Sequence, residues 1–290
     1  MKLRADLVPL HEGQWRLISP DGSCCTLHDP TEQTIDALRS GCHGYPVALD
    51  GAFEQSLASH QLLSETLANG QALVIGGGLA AAETTLALAQ TGAKVLISAP
   101  EPSLVALDPL GFHTSAASAV RAWVTGRCPA ARIETAPHWT SITPVHASIV
   151  IVATATVQPD RAITDHLSRQ RIPHLVVRAH HDLATIGPLV DASGPCLACL
   201  DLTQADHDQF WPATLAALIT RPSRPTTMAA HWAGAQAAIE ATWFMQGAGT
   251  TLRASTIEVD AAHAGVARRR WQPHSDCACQ CPPALLAQAA

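Results

Sequence analysis

The sequence predicts an α/β protein with a mostly parallel sheet, preceded by a small α+β module. From Gln71 onward, short apolar runs alternate with helical patterns. The first of these runs leads into Gly76-Gly77-Gly78, a turn suited to joining a buried strand to a helix. The first 68 residues have another texture, half-polar strand patterns beside short helices. A length of 290 residues fits two such domains, 1–68 and 69–290.

In the first domain, Arg4–Leu10 and Gln14–Ile18 are expected as strands flanking His11-Glu12-Gly13. Asp29-Pro30-Thr31, with Gln33, opens a helix through Arg39, and Gly41 closes it. Phe53–Ala58 and His60–Ala68 give further helical patterns. Two strands with short helices suit a winged-helix-like module, and several other small folds equally well.

In the second domain, Ala72–Ile75 is a buried strand, Leu79–Gln90 a helix that Thr91-Gly92 ends, and Lys94–Ser98 a second strand. Together they make a βαβ unit with glycines at the strand-to-helix turn. Ala117–Val124 reads as helix, Ser148–Ala153 as strand, Asp160–Arg169 as helix and His174–Val177 as strand. A long helix over Met228–Phe244, with Trp232 and Trp243 in the core, and a late strand Thr256–Val259 complete the pattern; the tail from Ala284 is expected to be loose. Such alternation predicts a Rossmann-type sheet with helices on both faces.

Composition bounds the function. Hydrophobic residues make up 47% of the chain and charged residues 14%, enough for a sizeable core. The net charge is −6 and no basic block argues for nucleic acid. No run is long enough to span a bilayer and no secretory signal opens the chain, so a cytoplasmic location is expected. In a reducing cytosol the nine cysteines read as metal ligands or redox groups before disulfides. Cys24, Cys25, Cys42 and Cys128 lack any spacing logic.

Two clusters do have it: Cys196-Leu-Ala-Cys199, and Cys277-Ala-Cys279 with Cys281 just beyond. One pair from each cluster would close a tetrahedral, structural zinc site of four thiolates. The glycine turn has the form Gly76-x-Gly78-x-x-Ala81, in which Gly76, Gly77 and Gly78 could let a nucleotide phosphate approach a helix N-terminus. A dinucleotide site also wants an acid after the second strand. Here that strand ends Ser98-Ala99-Pro100, with Glu101 only beyond the proline. His180-His181-Asp182 is read as chance adjacency in a chain with 15 histidines, and Asp206, His207 and Asp208 as a solvated helix N-terminus.

A resemblance joins these pieces. Gly187-Pro188-Leu189-Val190, then Pro195-Cys196-x-x-Cys199-Leu200-Asp201-Leu202, Asp208-x-x-Trp211-Pro212, and Trp271-x-x-His274 before Cys277-x-Cys279 follow in order. The chain resembles the ThiF/MoeB-like, ubiquitin-activating (E1-like) superfamily. Within it, the chain looks most like the actinobacterial cyclodehydratase-type partners of YcaO enzymes, which make thiazole and oxazole rings in ribosomal peptides.

The resemblance implies zinc on Cys196, Cys199, Cys277 and Cys279, with Cys281 able to replace either of the last two. It also implies a leader-peptide-binding role for residues 1–68, a YcaO-type partner, and a homodimer. It implies ATP as well, held by an acid near Ser98 or Ala99 and by a magnesium-binding acid after the Ser148–Val152 strand. Those positions here carry Ser98, Ala99 and Ala153-Thr154-Ala155-Thr156, and Arg121 and Arg161 read as helix-surface charges. No catalytic residue is assigned. The expected function is a non-adenylating accessory protein for peptide modification. The alternatives are an active ATP-dependent adenylyltransferase on a peptide or sulfur-carrier C-terminus, and a nicotinamide-dependent oxidoreductase, which would have no need of the cysteine frame.

Overall fold

A computed structural model describes residues 2–11, 13–42, 49–60, 62–64, 70–99, 107, 111–191, 193–248 and 250–280. The chain divides into two compact units, Met1–Ala68 and Asn69–Ala290.

The first unit contains β1 (Lys2–Leu3), β2 (Asp6–Pro9), β3 (Gln14–Ile18), β4 (Cys24–His28), α1 (Glu32–Cys42), α2 (Gly51–Ser59) and β5 (Leu63–Ser64). Strands β2, β3 and β4 form an antiparallel meander, while β1 pairs with β5. Leu17 and Leu27 point from the meander into a core shared with Leu3, Leu38, Leu57 and Leu62. Asp50 caps α2 by accepting from Phe53 N at 2.8 Å.

Three expectations need correction here. Gly41 does not close a helix; it is buried within the last turn of α1. Leu63–Ser64 is strand and not helix, because pairing with Lys2–Leu3 puts Leu3 and Leu62 into the core. Strand β4 is an addition to the expected pattern, since Cys-Cys-Thr-Leu carries only one strongly apolar inward position. Glu12, Gln61 and residues 65–68 lie outside the described residues, as does the tail beyond Gln280.

The second unit runs β6 (Gln71–Ile75), α3 (Leu79–Gln90), β7 (Lys94–Ser98), α4 (Ala116–Thr125), β8 (Arg132–Thr135), β9 (Ile149–Val152) and α5 (Arg161–Arg169). It continues β10 (His174–His180), β11 (Leu183–Val190), α6 (Leu197–His207), α7 (Trp211–Leu218), α8 (Thr227–Met245), β12 (Ser255–Asp260) and β13 (Gly265–Arg270). One eight-stranded sheet results, in the order β13-β12-β11-β10-β9-β6-β7-β8. The five strands β8, β7, β6, β9 and β10 are parallel; β11, β12 and β13 extend the sheet antiparallel. β9 is wholly buried, β6 and β7 nearly so, and they read as unbroken apolar runs because helices cover both faces. No helix of the described residues is long and apolar enough to cross a membrane.

Two features of this unit position the site. Strand order reverses at β6, with β7 on one side and β9 on the other, so a crevice opens beyond the carboxyl ends of β6 and β9. Helices α3 and α8 pack side by side over one sheet face through alanines such as Ala80, Ala81, Ala233 and Ala237. Gly234 lies at their contact, where an added Cβ would come within 2.6 Å of the Glu83 backbone. Gly234→Val should therefore lower stability by about 1–3 kcal/mol, as overpacking does in a close-packed core. Urea denaturation checks this; an unchanged midpoint would refute the tight contact. Trp232 packs against this core as expected, but Trp243 is 44% exposed on the outer face of α8.

Candidate metal centre and nucleotide crevice

The cysteine pairs come together. Cys196 occupies the N-cap position of α6 and Cys199 its first turn, so the pair marks a helix start. After β13, Cys277 immediately precedes the last described turn, Ala278–Gln280, and Cys279 lies within it. The four sulfurs all lie within 4.8 Å of one another. Cys196 Sγ is 3.6 Å from Cys277 Sγ, Cys199 Sγ is 3.3 Å from Cys279 Sγ, and Cys196 to Cys199 is 3.9 Å. These are not disulfide distances. Zinc–thiolate bonds of about 2.3 Å in a tetrahedron set sulfurs about 3.8 Å apart, so the donor set can hold such an ion.

Without an ion, the Cys196 and Cys277 thiols favour their protonated form. Burial pushes the Cys196 thiol up to about 11, and the neighbouring Cys199 adds to the rise. Burial likewise raises Cys277. The backbone N–H groups of Cys199 and Cys279 face the sulfurs of Cys196 and Cys277 and offset part of this. A divalent ion would supply the charge that four thiolates otherwise lack.

The surroundings fasten the tail. Trp271 is buried, and its Nε1 donates to Thr256 Oγ1 at 3.1 Å. His274 Nε2 lies 2.9 Å from Asp206 Oδ2, and Cys277 N donates to the His274 carbonyl at 3.1 Å. His274 thus ties the tail to α6 from outside the thiol cluster. Asp206 and His207 lie in the last turn of α6 and Asp208 is its C-cap, which corrects the expected helix N-terminus. Cys281 lies outside the described residues.

The glycine turn sits at the strand-order reversal. Gly76 has φ +133°, and a Cβ on it would sit 2.0 Å from the Ala153 carbonyl oxygen at the end of β9. A Cβ on Gly77 would meet the Ala116 Cβ at 2.2 Å, and one on Gly78 the Ala155 Cα at 3.2 Å. So the glycines allow three backbone segments to touch each other, whatever else they admit. Gly78 is the N-cap of α3 and offers no side-chain cap.

Three polar groups beside this turn are engaged within the protein. Gly76 N donates to Ser98 O, Ser98 Oγ donates to Pro137 O at 2.7 Å, and Thr156 Oγ1 donates to Gln158 O at 2.7 Å. Around the turn stand Ala99, Ala116, Ala153 and Ala155. Glu101 lies outside the described residues. Arg121 is exposed on α4. Arg161 is not a surface charge: it makes a two-pronged pair with Asp201, at 2.6 and 2.9 Å, with both side chains mostly buried. The His180 and His181 rings touch at a tilt of 48° with centroids 4.0 Å apart, and His180 Nδ1 accepts from Arg224 N, which fixes a loop.

Residues 65–186 match the family model NAD_binding_7, described as "Putative NAD(P)-binding". No curated protein sequence matches the chain significantly. Among solved structures, E. coli MccB superposes with a TM-score of 0.61 at 12% identity, over 97% of each chain. The microcin C7 biosynthetic enzyme MccB in complex with N-formylated MccA gives 0.59 at 15% identity, over 86% of this chain and 76% of that one. PaaA gives 0.54 at 9% identity, over 92% and 98%. The chain thus shares its fold with MccB.

Proposed function

We propose that the chain is an E1-like accessory protein that binds a peptide or a partner enzyme during the modification of ribosomal peptides, and that it does not adenylate. The crevice at the end of β6 and β9 carries this reading. Adenylation needs cations to neutralise the triphosphate and acids to hold magnesium. Among the described residues, the neighbours of the glycine turn are alanines and hydroxyls already hydrogen-bonded to the protein. The cysteine frame, by contrast, has a complete donor set, and zinc is the ion that suits four thiolates in tetrahedral array.

In this reading Gly76, Gly77 and Gly78 serve backbone packing, and zinc on Cys196, Cys199, Cys277 and Cys279 is structural. The protein works in the cytoplasm. The first unit grips a leader peptide, a YcaO-type azole-forming enzyme is the partner, and two copies pair. Isothermal titration with ATP and magnesium, with ATP–pyrophosphate exchange as the second readout, should give no heat and background exchange. Robust exchange would overturn the reading.

One observation favours the second reading, an active ATP-dependent adenylyltransferase: MccB, which shares the fold, has been solved with ATP. That reading expects exchange that collapses in Gly78→Asp, where a carboxylate would face the phosphates.

A further inference from the structure

A pocket of about 220 Å³ lies on the α6 face of the antiparallel part of the sheet. Its floor comes from β10, β11 and β12; α6 and α7 wall it, and Trp271 closes one side. Leu197, Leu200 and Trp211 add apolar surface. Five charged side chains line it, the guanidiniums of Arg161, Arg178 and Arg269 against the carboxylates of Asp201 and Glu258.

Two of the guanidiniums have partners. Arg161 is held by Asp201, whose Oδ1 also accepts from Trp211 Nε1 at 3.2 Å. Arg269 pairs with Glu258 at 3.1 Å on the more exposed rim. Arg178 is the odd one. Its Nη1 donates to Gln158 Oε1 at 3.3 Å, a neutral acceptor that Arg161 Nη2 also uses at 3.3 Å. Its Nε is buried with no hydrogen-bond partner among the described residues.

A half-buried guanidinium whose Nε is fully buried and unpartnered, and which faces only a neutral amide, is costly unless an anion joins it. Burial lowers Arg178 to about 10, with Arg161 adding to the fall, so it still carries its charge at neutral pH. Three cations against two anions leave one positive charge over. A monoanion cancels it; a dianion would leave a buried negative charge in its place. The volume is below the usual range of about 300–1,000 Å³ for small-molecule sites, which suits one side chain or one chain end better than a whole nucleotide.

We infer that this pocket receives a single carboxylate on Arg178, carried by the end or an acidic side chain of a peptide, with Trp211 and Trp271 walling its apolar part. The inference rests on the peptide-binding part of the proposed function and names the group that is recognised. A guanidinium holds a planar carboxylate through two parallel N–H donors, a geometry that a lysine cannot reproduce.

The test uses three N-acetylated, alanine-rich pentapeptides ending in leucine. The first has a free C-terminus. The second is amide-capped with a glutamate before the leucine. The third is amide-capped with glutamine there. Isothermal titration of the full chain up to about 5 mM peptide spans the weak affinities such probes reach.

We expect binding of the first or the second and none of the third, and which of the two binds identifies the source of the carboxylate. Arg178→Gln and Arg178→Lys should each weaken that binding at least ten-fold while thermal melting confirms a folded protein. If Arg178→Gln does not fold, Arg178→Lys and the peptide set on the unmodified protein still decide the matter.

Equal binding of all three peptides, binding of none, tighter binding of inorganic phosphate, or unchanged affinity in a folded Arg178 variant would each overturn the inference. Equal binding of all three would leave peptide recognition itself standing. The non-adenylating part of the proposed function is judged separately, by pyrophosphate exchange.

Discussion

Cys199→Ser is expected to purify with well under one zinc per chain and to melt about 10 °C below the parent, a shift that corresponds to several kcal/mol in a unit of this size. Cys199 is fully buried and its sulfur lies 3.3 Å from that of Cys279. A hydroxyl there removes one soft donor and leaves the other thiols without a closed shell. The loss should stay below the roughly 10–16 kcal/mol measured for zinc-dependent peptides, because the parallel sheet has its own core and does not need the ion to form. Cys128→Ser, at a half-buried thiol outside the cluster, is the control and should leave both readouts unchanged.

Acid should act in the same direction as the mutation. The Cys196 and Cys277 thiols are raised, so without a cation they hold their protons at neutral pH, and binding must expel them. Metal affinity therefore falls as pH falls. Metal analysis after dialysis at successive pH values checks this. Full zinc retention and unchanged melting in Cys199→Ser would remove the metal centre from the account.

Gly76→Ala is expected to destabilise the second unit by about 2–6 kcal/mol, from left-handed backbone strain combined with overpacking. At φ +133° an L side chain is strained, and its Cβ would come within 2.0 Å of a carbonyl oxygen that belongs to the adjacent strand. Neither term involves a ligand. Denaturant melts of Gly76→Ala should show the full loss whether or not ATP or NAD(P) is added. A protein that folds normally with alanine at this position would instead return the glycine turn to a binding role.

Legibility of the sequence followed the kind of physical signal each element carries. Strands β6, β7 and β9 and helix α3 were readable because burial on both faces writes uninterrupted apolar runs, and the intervening helix carries its own stop. Strands β11 and β13 were not. β11 begins at the exposed Leu183 and contains Gly187-Pro188, while β13 ends in three exposed arginines, Arg268, Arg269 and Arg270, that suit a sheet edge and resemble a loop. Leu63–Ser64 was lost to helical periodicity because its reason for being strand, Lys2–Leu3, lies some sixty residues away.

The thiol cluster was legible because cysteine spacing is a local code. The Arg178 pocket was not, since its charges come from α5, β10, α6, β12 and β13, and only the sheet order brings them to one place. A single arginine among the apolar residues between His174 and His180 was the one signal that could have pointed there.

In the thiol cluster, the contacts between sulfurs of the two pairs join cysteines 80 and 81 residues apart. Rings that large close late, after the local strand–helix units have formed. Every newly made copy thus passes through an interval with four reduced sulfurs open to oxidants and to softer, tighter-binding ions such as Cu(I). On the proposed zinc reading, the share of copies that mature correctly would then depend on zinc supply and thiol chemistry during synthesis, before the durability of the finished molecule has any say.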